Sequence, residues 1–131
     1  MARIVLDRRG NPAGCYLGHV CPLGVFRVLQ IIAAPRGAEV VTDDVLAHAW
    51  QLGAVVVTGK GQPEMQEALQ LRRCYFRSGG FTLVHSHSPE LIDALCGADA
   101  FANGLAGETW IRLIGGDFSR ATVPTPTHLD T

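Results

Sequence analysis

The run Val55-Val56-Val57 constrains the fold of this chain more than any other feature. It is apolar and β-branched throughout, with Gly53 just before it and Gly59-Lys60-Gly61 just after. A run of this type suits a strand buried on both faces of a sheet. Such a sheet is covered by helices and is at least partly parallel. The pattern around the run agrees, because strand-like and helix-like segments alternate through the second half of the chain.

Residues 3–7 read as a strand, 8–12 as a turn cluster and 14–20 as a returning strand, which together make an N-terminal hairpin. Val25, Val28, Leu29 and Ile32 fall on one helical stripe, with Pro22 before them and Pro35 and Gly37 after. That spacing predicts a helix over 22–34. Glu39-Val40-Val41 reads as a short strand. Thr42 then caps a helix that carries Asp43 and Asp44 in its first turn and stops at Gly53. Residues 54–58 are the buried strand, Gly59-Lys60-Gly61 a tight loop, and 63–77 a helix with Met65, Leu69 and Phe76 inward. Residues 81–84 read as a strand, Ser88 as the cap of a helix ending at Cys96, and 109–114 as the last strand. The expected fold class is α/β: a small single-domain mixed sheet with an N-terminal hairpin, then alternating strands and helices. The domain spans 1–116. An extended, polyproline-like tail occupies 117–131.

At 131 residues the chain has the size of one domain. Eleven basic residues against twelve acidic ones leave a net charge of -1, which gives no electrostatic case for nucleic acid or an anionic membrane. Charged residues make up 18% and hydrophobic ones 47%. A small chain this poor in charge is expected to hide surface against another copy of itself, as a homo-oligomer. No apolar run is long enough to span a membrane, and the first residues carry no export signal. The expectation is therefore a soluble, cytoplasmic protein whose Cys15, Cys21, Cys74 and Cys96 are reduced thiols.

Two stretches carry candidate chemistry. His85 and His87 sit one residue apart where an apolar strand runs into a helix start, the usual position for an α/β site. Two imidazoles there can move a proton, acting as catalytic residues, or supply two nitrogen ligands to a divalent metal such as zinc. Glu90, Asp93 and Asp99 are the acids nearby in sequence that could supply a third metal ligand. Gly59, Lys60 and Gly61 form the second stretch, where loop amides and a lysine before a helix would bind a small anionic ligand. The spacing is not that of a P-loop, and Gln62 stands where that motif has Ser or Thr. If the strands at 55–57 and 82–84 are parallel neighbours, Lys60, His85 and His87 meet at one sheet edge, with Asp43 or Asp44 nearby.

His85-Ser86-His87 after an apolar strand resembles the core of the JAMM metalloprotease motif. There an H-x-H pair supplies two zinc ligands and a downstream Ser-x-x-Asp the third. The resemblance covers about residues 81–99 and implies a zinc hydrolase, with an upstream acid such as Glu39 as its glutamate. Asp99 lies one residue too far, Leu95 and Cys96 leave no serine in place, and Ser88 replaces the usual proline. No family is assigned on this basis. The sequence reading is a small soluble oligomeric α/β protein of unassigned function with a ligand or metal site at His85 and His87, a hydrolase if it is an enzyme. The alternatives are a non-catalytic small-molecule or anion-binding module, and an oligomeric interaction protein with no catalytic site.

Overall fold

The N-terminal hairpin forms as the pattern predicts. In the computed structural model, which describes residues 1–78, 83–96 and 108–114, β1 (Ala2–Leu6) pairs antiparallel with β2 (Pro12–Cys21). Asp7 closes the turn, its carboxylate accepting the backbone N–H of Arg9 and of Asn11, each at 2.8 Å. Those bonds, that from Asn11 first, hold the Asp7 carboxyl below its ordinary pKa.

β2 then pairs antiparallel with β3 (Val25–Ala33) across a tight turn at Pro22–Gly24. This corrects the helix expected over 22–34. The cause is a β-bulge. Val28 lies opposite Gly18 and Gln30 opposite Leu17, so Leu29 is an extra residue in the ladder. A bulge breaks the period of two. Val28 and Ile31, three residues apart, consequently both face the core. Their spacing imitates a helical stripe inside a strand.

The strand expected at Glu39-Val40-Val41 is also absent. These residues lie in the first turns of α1 (Ala38–Gln51), which starts four residues before Thr42. Thr42 is buried mid-helix, and its hydroxyl donates to the carbonyl of Ala38 at 2.8 Å instead of capping. Asp43 and Asp44 are thus mid-helix residues. The expected end at Gly53 holds.

β4 (Val56–Lys60) follows and pairs parallel with β3. The helix expected over 63–77 is shorter. A turn at Pro63–Met65 leads into α2 (Gln66–Leu71), the chain reverses at Arg72-Arg73, and β5 (Tyr75–Arg77) begins. Arg73 takes a left-handed φ of 56° in that reversal. The Arg72 guanidinium grips α1, donating to Asp43 at 2.7 and 2.8 Å and to Glu39 at 2.9 Å. α3 (Pro89–Cys96) has the expected bounds, and Ser88 contributes the carbonyl that accepts the Ile92 N–H. β6 (Thr109–Leu113) matches the last expected strand.

Among the described residues the six strands form one mixed sheet in the order β1-β2-β3-β4-β6-β5, with β3 and β4 its parallel pair. The α/β single-domain reading with an N-terminal hairpin is borne out. One face of the sheet packs Val5, Tyr16, Phe26, Val28, Ile31, Val57 and Trp110 against Val41, Val45, Met65 and Leu69 of the helical layer. The other face leaves Ile4, Leu6, Leu17, Ile32, Leu113 and Tyr75 exposed. Among the described residues no helix is long and apolar enough to cross a membrane. All four cysteines are free, and burial pushes the Cys74 thiol up to about 11. The tail expected over 117–131 lies outside the described residues.

Candidate functional site

The parallel pair defines the site. β3 and β4 share only three register pairs, Val25 with Val56, Phe26 with Val57 and Arg27 with Thr58. β3 continues to Ala33 and β4 to Lys60, so the two strands part company toward their carboxyl ends. A ligand crevice in an α/β sheet opens at such a place. β3 leads through Ala34-Pro35-Arg36-Gly37 into α1, so the N-terminus of α1 stands at the same edge.

That N-terminus is held tightly. Ala34 N–H donates to the Ala13 carbonyl at 2.8 Å, and Gly37 N–H to the Ala34 carbonyl at 2.7 Å. A Cβ added at Gly37 would lie 2.0 Å from the Ala13 oxygen, so only glycine lets the helix start against β2. Gly37 offers no side chain to cap the first turn. The N–H groups of the first helical turn have no intrahelical acceptor and carry the positive end of the helix dipole. Glu39 would oppose an anion there, but its carboxylate is engaged by Arg72. Arg36, exposed and left-handed at φ 65°, adds a cation immediately before the helix. In the sequence Pro35 and Gly37 read as the stop of a helix, so this corner was missed.

Gly59-Lys60-Gly61 is not the free loop expected. Gly59 and Lys60 belong to β4, opposite Trp110 and Thr109 of β6, and Gly61 N–H donates to the Glu108 carbonyl at 2.6 Å. Gly59 serves packing: a Cβ there would meet the Trp110 indole at 2.9 Å. The indole N–H in turn donates to the Lys60 carbonyl at 3.2 Å. Gly61 does line a cavity of about 170 Å³, together with Gln62, Pro63, Gln66, Phe76 and Glu108.

A third cluster joins β1, β2 and α1. The buried Tyr16 hydroxyl donates to Asp44 Oδ2 at 3.1 Å, and His48 Nδ1 lies 2.7 Å from the Tyr16 hydroxyl oxygen. One phenol proton cannot serve both neighbours, so the arrangement is satisfied when His48 donates from Nδ1. Arg3 closes the chain with bonds of 2.7 and 3.2 Å to Asp44. Asp44 and His48 lie one turn apart on α1, but Arg3 and Tyr16 come from distant strands, so the cluster gave no local signal. Burial first, then the Asp44 carboxylate, push the Tyr16 phenol well above its ordinary pKa. The folded state thus keeps the phenol protonated to a higher pH than the unfolded chain does. Its contribution is complete below about pH 10 and is lost as the pH rises further. Tyr16→Phe is expected to cost about 1–2 kcal/mol at pH 7. Urea unfolding across alkaline pH should show stability falling less steeply above pH 10 in Tyr16→Phe than in the parent; parallel curves would contradict the assignment.

His85 and His87 stand exposed, their rings edge to face with centroids 5.4 Å apart. Residues 83 and 84 are not in a strand, and 81 and 82 lie outside the described residues. The neighbours of β4 are β3 and β6, so the parallel pairing that would bring Lys60 to the histidines does not occur. Asp43 and Asp44 are taken by Arg72 and Arg3. Among the described residues no group of three His, Cys, Asp or Glu is gathered to hold a metal ion, and Asp99 lies outside them.

No family model matches the chain, and no curated protein matches it. Among solved structures it is similar to the crystal structure of a proposed acyl-CoA N-acyltransferase from Klebsiella pneumoniae subsp. pneumoniae MGH 78578. The identity is 12% and the TM-score 0.50, over 87% of this chain and 72% of that one. The likeness is one of fold alone, a mixed α/β sheet with a helical layer.

Proposed function

We propose that the notch between β3 and β4 binds an acyl thioester donor of the acyl-CoA type, and that the protein is an N-acyltransferase. One observation carries the reading. The parallel ladder stops at Arg27 and Thr58 while β3 runs on to Ala33 and delivers the chain to the N-terminus of α1. A notch between diverging parallel strands suits the narrow, extended arm of such a donor, and the α1 amides with Arg36 suit its phosphates. The fold shared with the Klebsiella structure supports the same reading. In the reaction an amine nitrogen attacks the thioester carbonyl carbon. The carbon–sulfur bond then breaks, and the proton lost by the amine ends on the departing thiolate.

The test is binding of acetyl-CoA to the full chain, followed by calorimetry and by amide NMR. Binding at micromolar to sub-millimolar concentration is expected, with the largest shifts at residues 28–33 and 36–40. Arg36→Ala should weaken it about fivefold, and rising salt should do the same. No heat and no shifts with millimolar acetyl-CoA would sink the proposal.

A further inference from the structure

A small cavity lies on the other side of β4 from the notch. Its centre is Gln62, one of two polar residues in the buried set and 7% exposed. Its backbone carbonyl accepts the Met65 N–H at 3.0 Å. Its side-chain amide has no hydrogen-bond partner among the described residues. A buried amide left unpaired is costly and rare in folded proteins. Thr42, the other buried polar residue, is satisfied by Ala38.

Gln62 lines the cavity described above, whose volume of about 170 Å³ lies below the usual range of roughly 300–1,000 Å³ for drug-sized ligands. It is a single-ring space. Phe76 supplies an aromatic wall and Pro63 an aliphatic one, while Gln66 and Glu108 supply polar groups. The cavity lies between the end of β4, β5 and the start of β6, with β4 separating it from the β3 notch.

We propose that this cavity binds a small aromatic primary carboxamide, held by a reciprocal pair of hydrogen bonds to the Gln62 side chain. The complementarity is chemical. A primary amide offers one N–H donor and one carbonyl acceptor side by side, and the Gln62 amide, with no side-chain partner among the described residues, can take one of each. A ring attached to that amide stacks or packs edge-on against Phe76. Glu108 disfavours a carboxylate in the same position by like charge. The site neither requires nor excludes the acyl donor in the notch.

The experiment titrates benzamide, benzoate and benzylamine separately into the full chain, followed by ¹H–¹⁵N NMR of backbone and side-chain amides. Benzamide should bind with a dissociation constant on the order of 1 mM, as expected for so small a ligand. It should shift the Gln62 side-chain NH₂ and the Gly61 amide. Gln62→Leu should weaken it about tenfold or more, while leaving the thermal midpoint unchanged or higher, because a leucine there leaves no amide unpaired. Several results would overturn the proposal. These are no benzamide shifts (a cavity filled by water alone), equal binding of benzoate, binding of benzylamine without benzamide, or undiminished binding in Gln62→Leu. A large drop in thermal midpoint in Gln62→Leu would also overturn it, since it would mean that the amide already has a partner. Acetyl-CoA titrated into Gln62→Leu is expected to bind as in the parent, which keeps this test apart from that of the notch.

Discussion

Trp110→Ala is expected to lower the unfolding free energy by about 4 kcal/mol, the range for truncating a large buried aromatic. The indole is 1% exposed and is the largest fully buried side chain of the described residues. It fills the place that Gly59 vacates by having no Cβ, and its N–H donates to the Lys60 carbonyl. In the sheet Trp110 stands between Gly59 of β4 and Phe76 of β5, so its loss leaves both without the side chain opposite them. Chemical unfolding measures the loss. A double-mutant cycle checks its cause. Gly59→Ala should be destabilising alone, because its methyl meets the indole. It should cost little or nothing in the Trp110→Ala background, where that methyl has room. Additive losses would show that Gly59 is glycine for some other reason.

The same residues show what a sequence can and cannot disclose. The core of β4 and the N-terminal hairpin were legible because each is written locally, in a β-branched run or in a turn closed by Asp7. The α3 segment was equally plain, with Pro89 at its first position. β3 was not, because the cause of its spacing is a bulge opposite Leu17 and Gly18, and nothing within Val25–Ala33 announces a partner strand. The start of α1 was misread for a related reason. Gly37 opens the helix through its fit against Ala13 on another strand, while Thr42, the residue with a capping side chain, bonds backward instead. For the site, the sequence drew attention to Gly61, which lines the cavity, and to a strand end before His85 where residues 83 and 84 form no strand. It gave Gln62 no weight except as a residue that spoils a phosphate-binding motif. The features that single it out are burial and the absence of a partner, which only the fold creates. Gly59 and Lys60 looked like loop because glycine is common in turns. In a sheet, glycine also marks where a neighbouring ring needs room.

Gly37→Ala is expected to cost about 3 kcal/mol and to impair the notch at the same time. The backbone at Gly37 has φ of -89° and ψ of -12°, which alanine adopts freely, so the penalty is not conformational. It is a collision. The new Cβ would sit 2.0 Å from the Ala13 oxygen and 3.0 Å from the Ala34 oxygen, and both belong to backbone. Relief requires α1 to shift away from β2, which stretches the 2.8 Å bond from Ala34 N–H to the Ala13 carbonyl. Gly53→Ala is the control. Gly53 is left-handed at φ 75° with open space around it, so its loss is conformational and costs about 1 kcal/mol. Urea midpoints should separate the two variants clearly. Acetyl-CoA binding should separate them further. Gly53 ends α1 away from the notch, and Gly53→Ala should bind as the parent does when measured well below its unfolding midpoint. Gly37→Ala should bind at least tenfold more weakly even where it remains folded, because the displaced helix carries its first-turn amides away from the place the proposed donor's phosphates would take. Equal affinity in a folded Gly37→Ala protein would remove the α1 N-terminus from the proposed donor site.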